Sequence, residues 1–313
     1  MQIKNKVIFM GTPKIAAVCL AAILEHKDVE VVAVVCQPDR PTGRHKEIVF
    51  SPVKQIALEH NILVLQDEKV SNLYEKIKSL QPDLIFTCAF GQFIPSNILE
   101  LPKYKCVNLH ASLLPKLRGG APIQWAIINQ EKTTGFTLMY MDKKMDAGNI
   151  IKQYPINIDP QETYASLYDK LCVLAGEVIS KDFMILFDKD LKSTVQDESK
   201  VTFGYNISRD DEKINWRKSN LEVDAQIRGL YNVPIAYTTF DEQIIKIHKA
   251  TPVTSYANAA PGSIIQLTNQ AIIVACGQNA MKLEIIQMAG KKPLLINQIV
   301  NGNHPFKVGK LFR

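Results

Sequence analysis

Short apolar runs alternate with helical patterns over the first hundred residues. Lys6–Met10 is a compact apolar run closed by Gly11-Thr12-Pro13, and Ile15–Leu24 then sets apolar residues at helical spacing. Val29–Cys36 is a nearly continuous β-branched run, the pattern of a strand buried on both faces. Ser51-Pro52 marks a helix start, with Ser51 as N-cap and Pro52 at the first helical position. Ile62–Leu65 predicts a strand, Val70–Leu80 a helix and Leu84–Cys88 a further strand. Strands alternating with helices point to a Rossmann-like, doubly wound, mostly parallel α/β sheet.

The pattern changes at Cys106. Cys106–Leu109 predicts a strand that feeds the loop His110–Gly120, and Ala121–Asn129 predicts a helix. Thr134–Met141 and Asn149–Ile156 read as a strand pair around the turn Lys143–Gly148, and Tyr164–Leu186 as a long helix. Asp188–Tyr205 is polar and without a period, so it reads as a linker. Beyond it come a helix, Asn220–Gly229, and five short strands broken by Gly, Pro and Asn. These are Ala236–Phe240, Ile244–Ala250, Gly262–Leu267, Ala271–Cys276 and Met281–Met288, the spacing of a small OB-like β-barrel. The expected organisation is a domain over 1–187, a linker over 188–206 and a C-terminal domain over 207–313.

Composition agrees with two globular cores: 313 residues, 46% hydrophobic and 22% charged. The apolar stretch Ala16–Leu24 is about half of what a bilayer span needs. The first eleven residues read as a strand and turn rather than a signal peptide. The six cysteines are scattered without a CxxC, as expected of reduced core thiols in a cytoplasmic protein. The histidines show no HxxxH or HExxH spacing, so no metal site is expected. The net charge is +6, and it is uneven: from Gln243 onward eight lysines and arginines face Glu284 alone. Charge by itself fits either a polyanion partner or an ordinary solvated basic face.

Candidate chemistry is concentrated in the middle of the chain. The turn Gly11-Thr12-Pro13-Lys14 has one glycine rather than GxGxxG, and no GxxxxGK[ST] occurs, which argues against a dinucleotide or ATP site. Asn108-Leu109-His110 places an amide and an imidazole on one face of a strand end. Such a pair suits acyl-group transfer, with the amide holding an oxyanion and the imidazole moving a proton. A hydrogen-bonded pair capping a strand explains the motif equally well. Asp142 and Asp146 flank the turn that ends in Gly148. Either one reaches back to orient the imidazole, or both belong to a polar hairpin turn.

Taken together, several stretches resemble the formyltransferases that use 10-formyltetrahydrofolate. They are Asn108-x-His110, Ser112-Leu113-Leu114-Pro115, Arg118–Ile123 and Asp142…Asp146-x-Gly148, with Phe9–Pro13, Ser51–Lys54, Gln196–Glu198, Ile214–Trp216, Ala260–Gly262 and Gly290–Lys292. The loop Gln37-Pro38-Asp39-Arg40-Pro41-Thr42-Gly43-Arg44 and the barrel single out the bacterial branch that acts on initiator methionyl-tRNA. The resemblance implies 10-formyltetrahydrofolate as formyl donor, no metal, no membrane and a monomer. It implies Asn108, His110 and Asp146 as the catalytic set. Ser112, Leu113, Leu114, Pro115, Phe90, Gly91 and Ile94 would lie against the folate. Arg40, Arg44 and Lys46 of the long loop, with Lys246, Lys249, Lys291 and Lys292 of the tail, would meet the tRNA. Competing readings are a relative acting on a small amine (a nucleotide-sugar or glycinamide ribonucleotide), a formyltetrahydrofolate hydrolase, and a non-catalytic RNA-binding protein. The basic tail weighs against the first two, and the complete Asn/His/Asp set against the last.

Overall fold

A computed structural model describes residues 4–42, 47–255 and 258–313. The chain divides into two compact units. The first comprises Met1–Pro122, Thr134–Ile156 and Tyr168–Tyr205; the second comprises Ile123–Thr133, Asn157–Leu167 and Asn206–Arg313. Residues 188–205, expected to form a linker, thus belong to the first unit. Most of them are exposed, and Thr194, Gln196 and residues 202–204 tie them to the unit by hydrogen bonds.

The first unit is built on a seven-stranded sheet. Its strands are β1 (Asn5–Gly11), β2 (Val29–Val35), β5 (Val64–Leu65), β6 (Leu84–Cys88), β7 (Cys106–His110), β8 (Thr133–Tyr140) and β9 (Ile150–Asn157). The two-residue strands β3 (Pro41–Thr42) and β4 (Glu47–Ile48) form a separate small pair. The order is β5-β2-β1-β6-β7-β8-β9, parallel from β5 through β7, with β8 antiparallel to β7. β2 and β6 both flank β1, so the winding reverses there. In open α/β sheets such a reversal opens a crevice beyond the carboxyl ends of the strands.

The apolar runs are explained by burial on both faces. Ile8, Met10, Ala33, Val35, Ile85 and Cys106 face one core with Ile77 and Ile98. Alternate residues face the other side, where Phe9 stacks on Phe86 and Phe86 meets Phe183 edge-on. Gly11 is required by packing: a Cβ there would lie 2.6 Å from the Ala16 Cβ and 2.7 Å from the Cys88 carbonyl oxygen. Ser51 caps the helix Pro52–Glu59 as expected, accepting from the Lys54 amide. The expected helix Val70–Leu80 is split into a 3-10 turn, Val70–Leu73, and a short helix, Tyr74–Ser79. The helix after β9 ends at Asp182 rather than Leu186, giving way to the 3-10 turn Phe183–Phe187.

The second unit holds an antiparallel, half-barrel sheet. β10 (Tyr237–Phe240), β11 (Gln243–Val253), β14 (Ala280–Met288), β13 (Ile272–Ala275) and β12 (Ile264–Leu267) follow in that spatial order, and β15 (Leu294–Leu295) pairs with β14. The helix Asn220–Gly229 starts with a full capping box between Ser219 and Glu222. Inward residues such as Ile245, Ile247, Met281 and Leu283 pack with Trp216, Phe240, Phe306 and Phe312. Among the described residues no helix is long and apolar enough to cross a membrane.

All six cysteines are buried and unpaired. Burial pushes the Cys172 thiol up to about 11 and the Cys276 thiol up to about 12. A thiolate is the reactive form, so both its scarcity and its inaccessibility protect these groups. Native protein at pH 8 is expected to leave a disulfide reagent such as DTNB unreacted for minutes, and denatured protein to release six equivalents. Fast release of even one equivalent from native protein would contradict this packing.

Candidate active site

The site lies at the carboxyl end of β7. Asn108 and His110 project from it two residues apart, and Thr87 of β6 pairs in register with Asn108. The Thr87 hydroxyl lies 2.8 Å from Asn108 Oδ1 and donates to it. This bond turns the amide so that its Nδ2 hydrogens are left for another acceptor. Thr87 was not singled out from the sequence; its only signal is a lone hydroxyl in the buried run Leu84–Cys88.

The His110 ring is buried, with Nε2 at 3.0 Å from the Leu117 carbonyl. A carbonyl only accepts, so Nε2 carries the hydrogen and the neutral ring keeps its lone pair on Nδ1. Nδ1 lies 3.7 Å from Asp146 Oδ2, beyond hydrogen-bond length but within ion-pair reach once Nδ1 is protonated. The backbone carbonyl therefore orients the imidazole, and the carboxylate stands beside the nitrogen that keeps its lone pair. Of the two aspartates considered, Asp146 is brought to the histidine. Asp142 is exposed and accepts from the Lys143 amide.

Asp146 is held from two directions. Its Oδ2 accepts from the Gly119 amide at 2.8 Å. Its carbonyl and that of Gly148 accept from Gln196 Nε2 at 2.7 and 2.8 Å. Gln196 Oε1 in turn accepts from Arg118 Nε and Nη2 at 3.1 and 2.9 Å, and Arg118 reaches Glu198 at 2.7 Å. The guanidinium holds the Glu198 carboxyl below its ordinary range. The loop 117–121 is also laced to residues 202–204: Leu117 N to Thr202 Oγ1, Arg118 N to Thr202 O, Gly204 N to Arg118 O and Ala121 N to Gly204 O, all at 2.8–2.9 Å. Gly148 is forced by the turn, because a Cβ there would lie 1.9 Å from the Tyr140 carbonyl oxygen.

The Ser112–Pro115 loop is anchored on β8 and β9. Ser112 Oγ donates to the Lys116 carbonyl at 2.6 Å, and Thr137 Oγ1 bonds both Ser112 O and Leu114 N. Gln153 donates to Leu114 O at 2.8 Å. Ser112 and Leu114 are buried, whereas Leu113 and Pro115 are half-buried. Phe90 and Ile94 are buried in the core on one face of the sheet, and of that trio only Gly91 is exposed.

Gly91 lines a cleft of about 470 Å³ with Thr12, Gln37, Pro38, Asp39 and Arg40. These residues follow β6, β1 and β2, so the cleft sits where the winding reverses. A polar network floors it. Gln37 Nε2 donates to Phe90 O at 2.9 Å, Gln66 Nε2 to Gln37 O at 2.7 Å, and Lys54 pairs with Asp39 and with Gln66. Burial raises the Asp39 carboxyl, but the Lys54 ammonium and the Gln66 amide outweigh it, and the group is held below its ordinary range. Arg40 is exposed and pairs with Glu68 at 2.8 Å. Arg44 and Lys46 lie outside the described residues. In the second unit Lys246 is half-buried on β11, Lys249 pairs with Glu284 at 2.9 Å, and Lys291 and Lys292 are exposed beyond β14.

An amide, an imidazole and a carboxylate at the edge of a parallel sheet define a group-transfer enzyme. Residues 4–182 match the formyl transferase family and residues 206–304 its C-terminal domain; the chain belongs to this family and is a transferase. It is 45% identical to the methionyl-tRNA formyltransferase of Malacoplasma penetrans over 97% of this chain and 96% of that one. It is 46% identical to the methionyl-tRNA formyltransferase of Bacillus cytotoxicus over 95% of both. Among solved structures it is similar in fold to WlaRD, a sugar 3N-formyl transferase crystallised with dTDP and 5-N-formyl-THF. That match has a TM-score of 0.66 at 22% identity, covering 93% of this chain and all of that one.

Gln196→Leu removes the Gln196 donor from the Asp146 and Gly148 carbonyls and leaves the Arg118 guanidinium with Glu198 alone. It is expected to lower stability by roughly 1–3 kcal/mol, the cost of unsatisfied buried polar groups, and to reduce formyl transfer at least tenfold. Urea unfolding and a transfer assay check this. An unchanged urea midpoint with full activity would show that other contacts hold the turn.

Proposed function

We propose that this chain transfers the formyl group of 10-formyltetrahydrofolate to the α-amine of initiator methionyl-tRNA. The observation that carries this reading is near-full-length likeness, at about 45% identity, to enzymes named for methionyl-tRNA. The site's geometry supports the chemistry. The amine nitrogen bonds to the formyl carbon, and the carbonyl oxygen becomes an oxyanion that Asn108 Nδ2 holds. His110 Nδ1 takes the proton from the attacking nitrogen. Asp146, 3.7 Å away, favours the imidazolium so formed. Collapse of the oxyanion breaks the bond to the folate nitrogen, which leaves with the proton that His110 Nδ1 took up, and the neutral ring is restored. In this reading Thr87 and Leu117 are positioning groups, because they fix the donor face of Asn108 and the proton-bearing nitrogen of His110.

In the same reading residues 1–187 hold the folate and the chemistry, and 207–313 grip RNA. Leu113, Pro115 and Gly91 are the exposed or half-buried members of the folate set and offer it contact. Arg40, Arg44 and Lys46 meet the acceptor end, and Lys246, Lys249, Lys291 and Lys292 meet phosphates. We take the enzyme to act as a monomer in the cytoplasm, where its six unpaired thiols remain reduced.

The deciding assay is transfer of labelled formyl to charged initiator tRNA, run beside a nucleotide amino-sugar acceptor. Transfer to the tRNA alone is expected; transfer to the sugar alone would overturn the reading. Asn108→Ala and His110→Ala should each lower kcat by roughly 10²–10⁴-fold, the scale of one oxyanion donor or one general base. Folded variants with near-normal kcat would remove the residue concerned from the mechanism.

Affinity for tRNA should also fall steeply as salt rises, because each phosphate neutralised by a lysine releases a counterion. Titrations at several salt concentrations read the slope. A flat response would mean that the basic tail does not meet phosphates.

A further inference from the structure

Phe203 and Tyr205 are exposed aromatics on a segment otherwise committed to hydrogen bonds. They flank Gly204 two residues apart, and their rings stack in parallel, with centroids 5.0 Å apart and planes within 5°. Phe203 is 46% and Tyr205 57% exposed. Though stacked on each other, both residues keep about half of their surface in solvent. By contrast, Phe9, Phe86 and Phe183 of the same unit are fully buried.

The position of the pair is informative. Arg118 bridges to Phe203 in parallel, and a Cβ on Gly119 would come within 2.7 Å of the Gly204 carbonyl oxygen. The pair therefore stands one strand spacing, about 4.8 Å, from the loop that presents Leu117 O to His110 and Gly119 N to Asp146. The backbone that carries the stacked rings is thus laced to the loop whose Leu117 carbonyl and Gly119 amide hold His110 and Asp146.

We propose that Phe203 and Tyr205 form a stacking subsite for the unpaired 3′-terminal base of the acceptor RNA. This deepens the functional reading above and rests on it. The reacting amine is joined to the terminal ribose by one aminoacyl ester. Whenever the amine is in the site, an unpaired base must lie beside it. Every base has an apolar π-face, and an exposed aromatic ring is the surface on which that face is best desolvated, whichever base it is. A lysine or arginine at this place would hold a phosphate and leave the base in water. The subsite thus holds the RNA end close to the chemistry, where the loop and tail cations cannot act on the base.

The test uses full-length Phe203→Leu, Tyr205→Leu and Tyr205→Phe enzymes. Two readouts are needed: kinetics with methionyl-tRNA, and binding of tRNA carrying 2-aminopurine at its 3′ terminus, whose fluorescence falls on stacking. Each leucine variant should raise KM for methionyl-tRNA about 5–150-fold, the scale of one base–aromatic stack. The KM for folate should be unchanged, which also reports an intact fold. Wild type should quench the 2-aminopurine and the leucine variants should not, whereas Tyr205→Phe should behave as wild type. Unchanged KM and quenching in both leucine variants would overturn the proposal. So would a Tyr205→Phe enzyme as impaired as Tyr205→Leu, since that would assign the effect to the hydroxyl. Failure of the unaltered enzyme to formylate methionyl-tRNA is a separate result, and it would overturn the functional reading itself.

Discussion

Gln196 joins three segments that are far apart along the chain. Its Nε2 satisfies the carbonyls of Asp146 and Gly148, and its Oε1 receives two hydrogens from Arg118. The loops so joined have few apolar residues to bury, so hydrophobic packing cannot set their shape. A buried carboxamide can, because it offers donors and an acceptor in fixed directions and is costly to leave unpaired. Remove it, and the turn carrying Asp146 is tied to the loop that orients His110 through the Gly119 amide alone among the bonds described above. The carboxylate comes from the turn after β8 and the imidazole from the end of β7, so their separation is set by this bond together with the Gly119 amide.

The sheet imposes the complementary constraint. With both faces buried, its strands leave room for polar groups chiefly at the carboxyl edge. Thr87 is the exception that serves the edge: it sits within a buried run, and its hydroxyl sets the amide of Asn108. The network of Gln37, Gln66, Lys54 and Asp39 plays a similar part under the cleft beyond β1, β2 and β6. There the Gln37 and Gln66 amides satisfy loop carbonyls, and the Lys54 ammonium with Gln66 holds the half-buried Asp39 carboxyl below its ordinary range.

In the second unit, charge is shaped by pairing as well as by number. Along β11 the inward isoleucines alternate with Lys246 and His248, as expected of a sheet with one wet face. Lys249 pairs with the only acid of the tail, Glu284, whereas Lys291 and Lys292 are exposed beyond β14. The excess positive charge seen in the sequence is therefore not spread evenly over that face.

Much of this protein was legible in its sequence. Short runs of four to eight residues, mostly apolar, have few alternatives to a buried strand, so β1, β2, β6 and β7 appear within a residue or two of their observed ends. The Ser51 cap and the Asn220–Gly229 helix follow from equally local rules. Asn108 and His110 were legible for the same reason, because strand period alone puts them on one face. What the sequence left open was decided by contacts between distant segments. By spacing alone Asp142 and Asp146 are equivalent, and family resemblance points to Asp146; the Gly119 amide and Gln196 are what hold it in place. Residues 188–205 look like a linker because their bonds run to loop backbone, and a backbone carbonyl has no letter in the sequence. The orientation of His110 by the Leu117 carbonyl is hidden for that same reason, and so is the place of Phe203 and Tyr205 beside the site. Local pattern reports which residues must be buried, and only the folded chain decides which backbone groups their polar neighbours will meet.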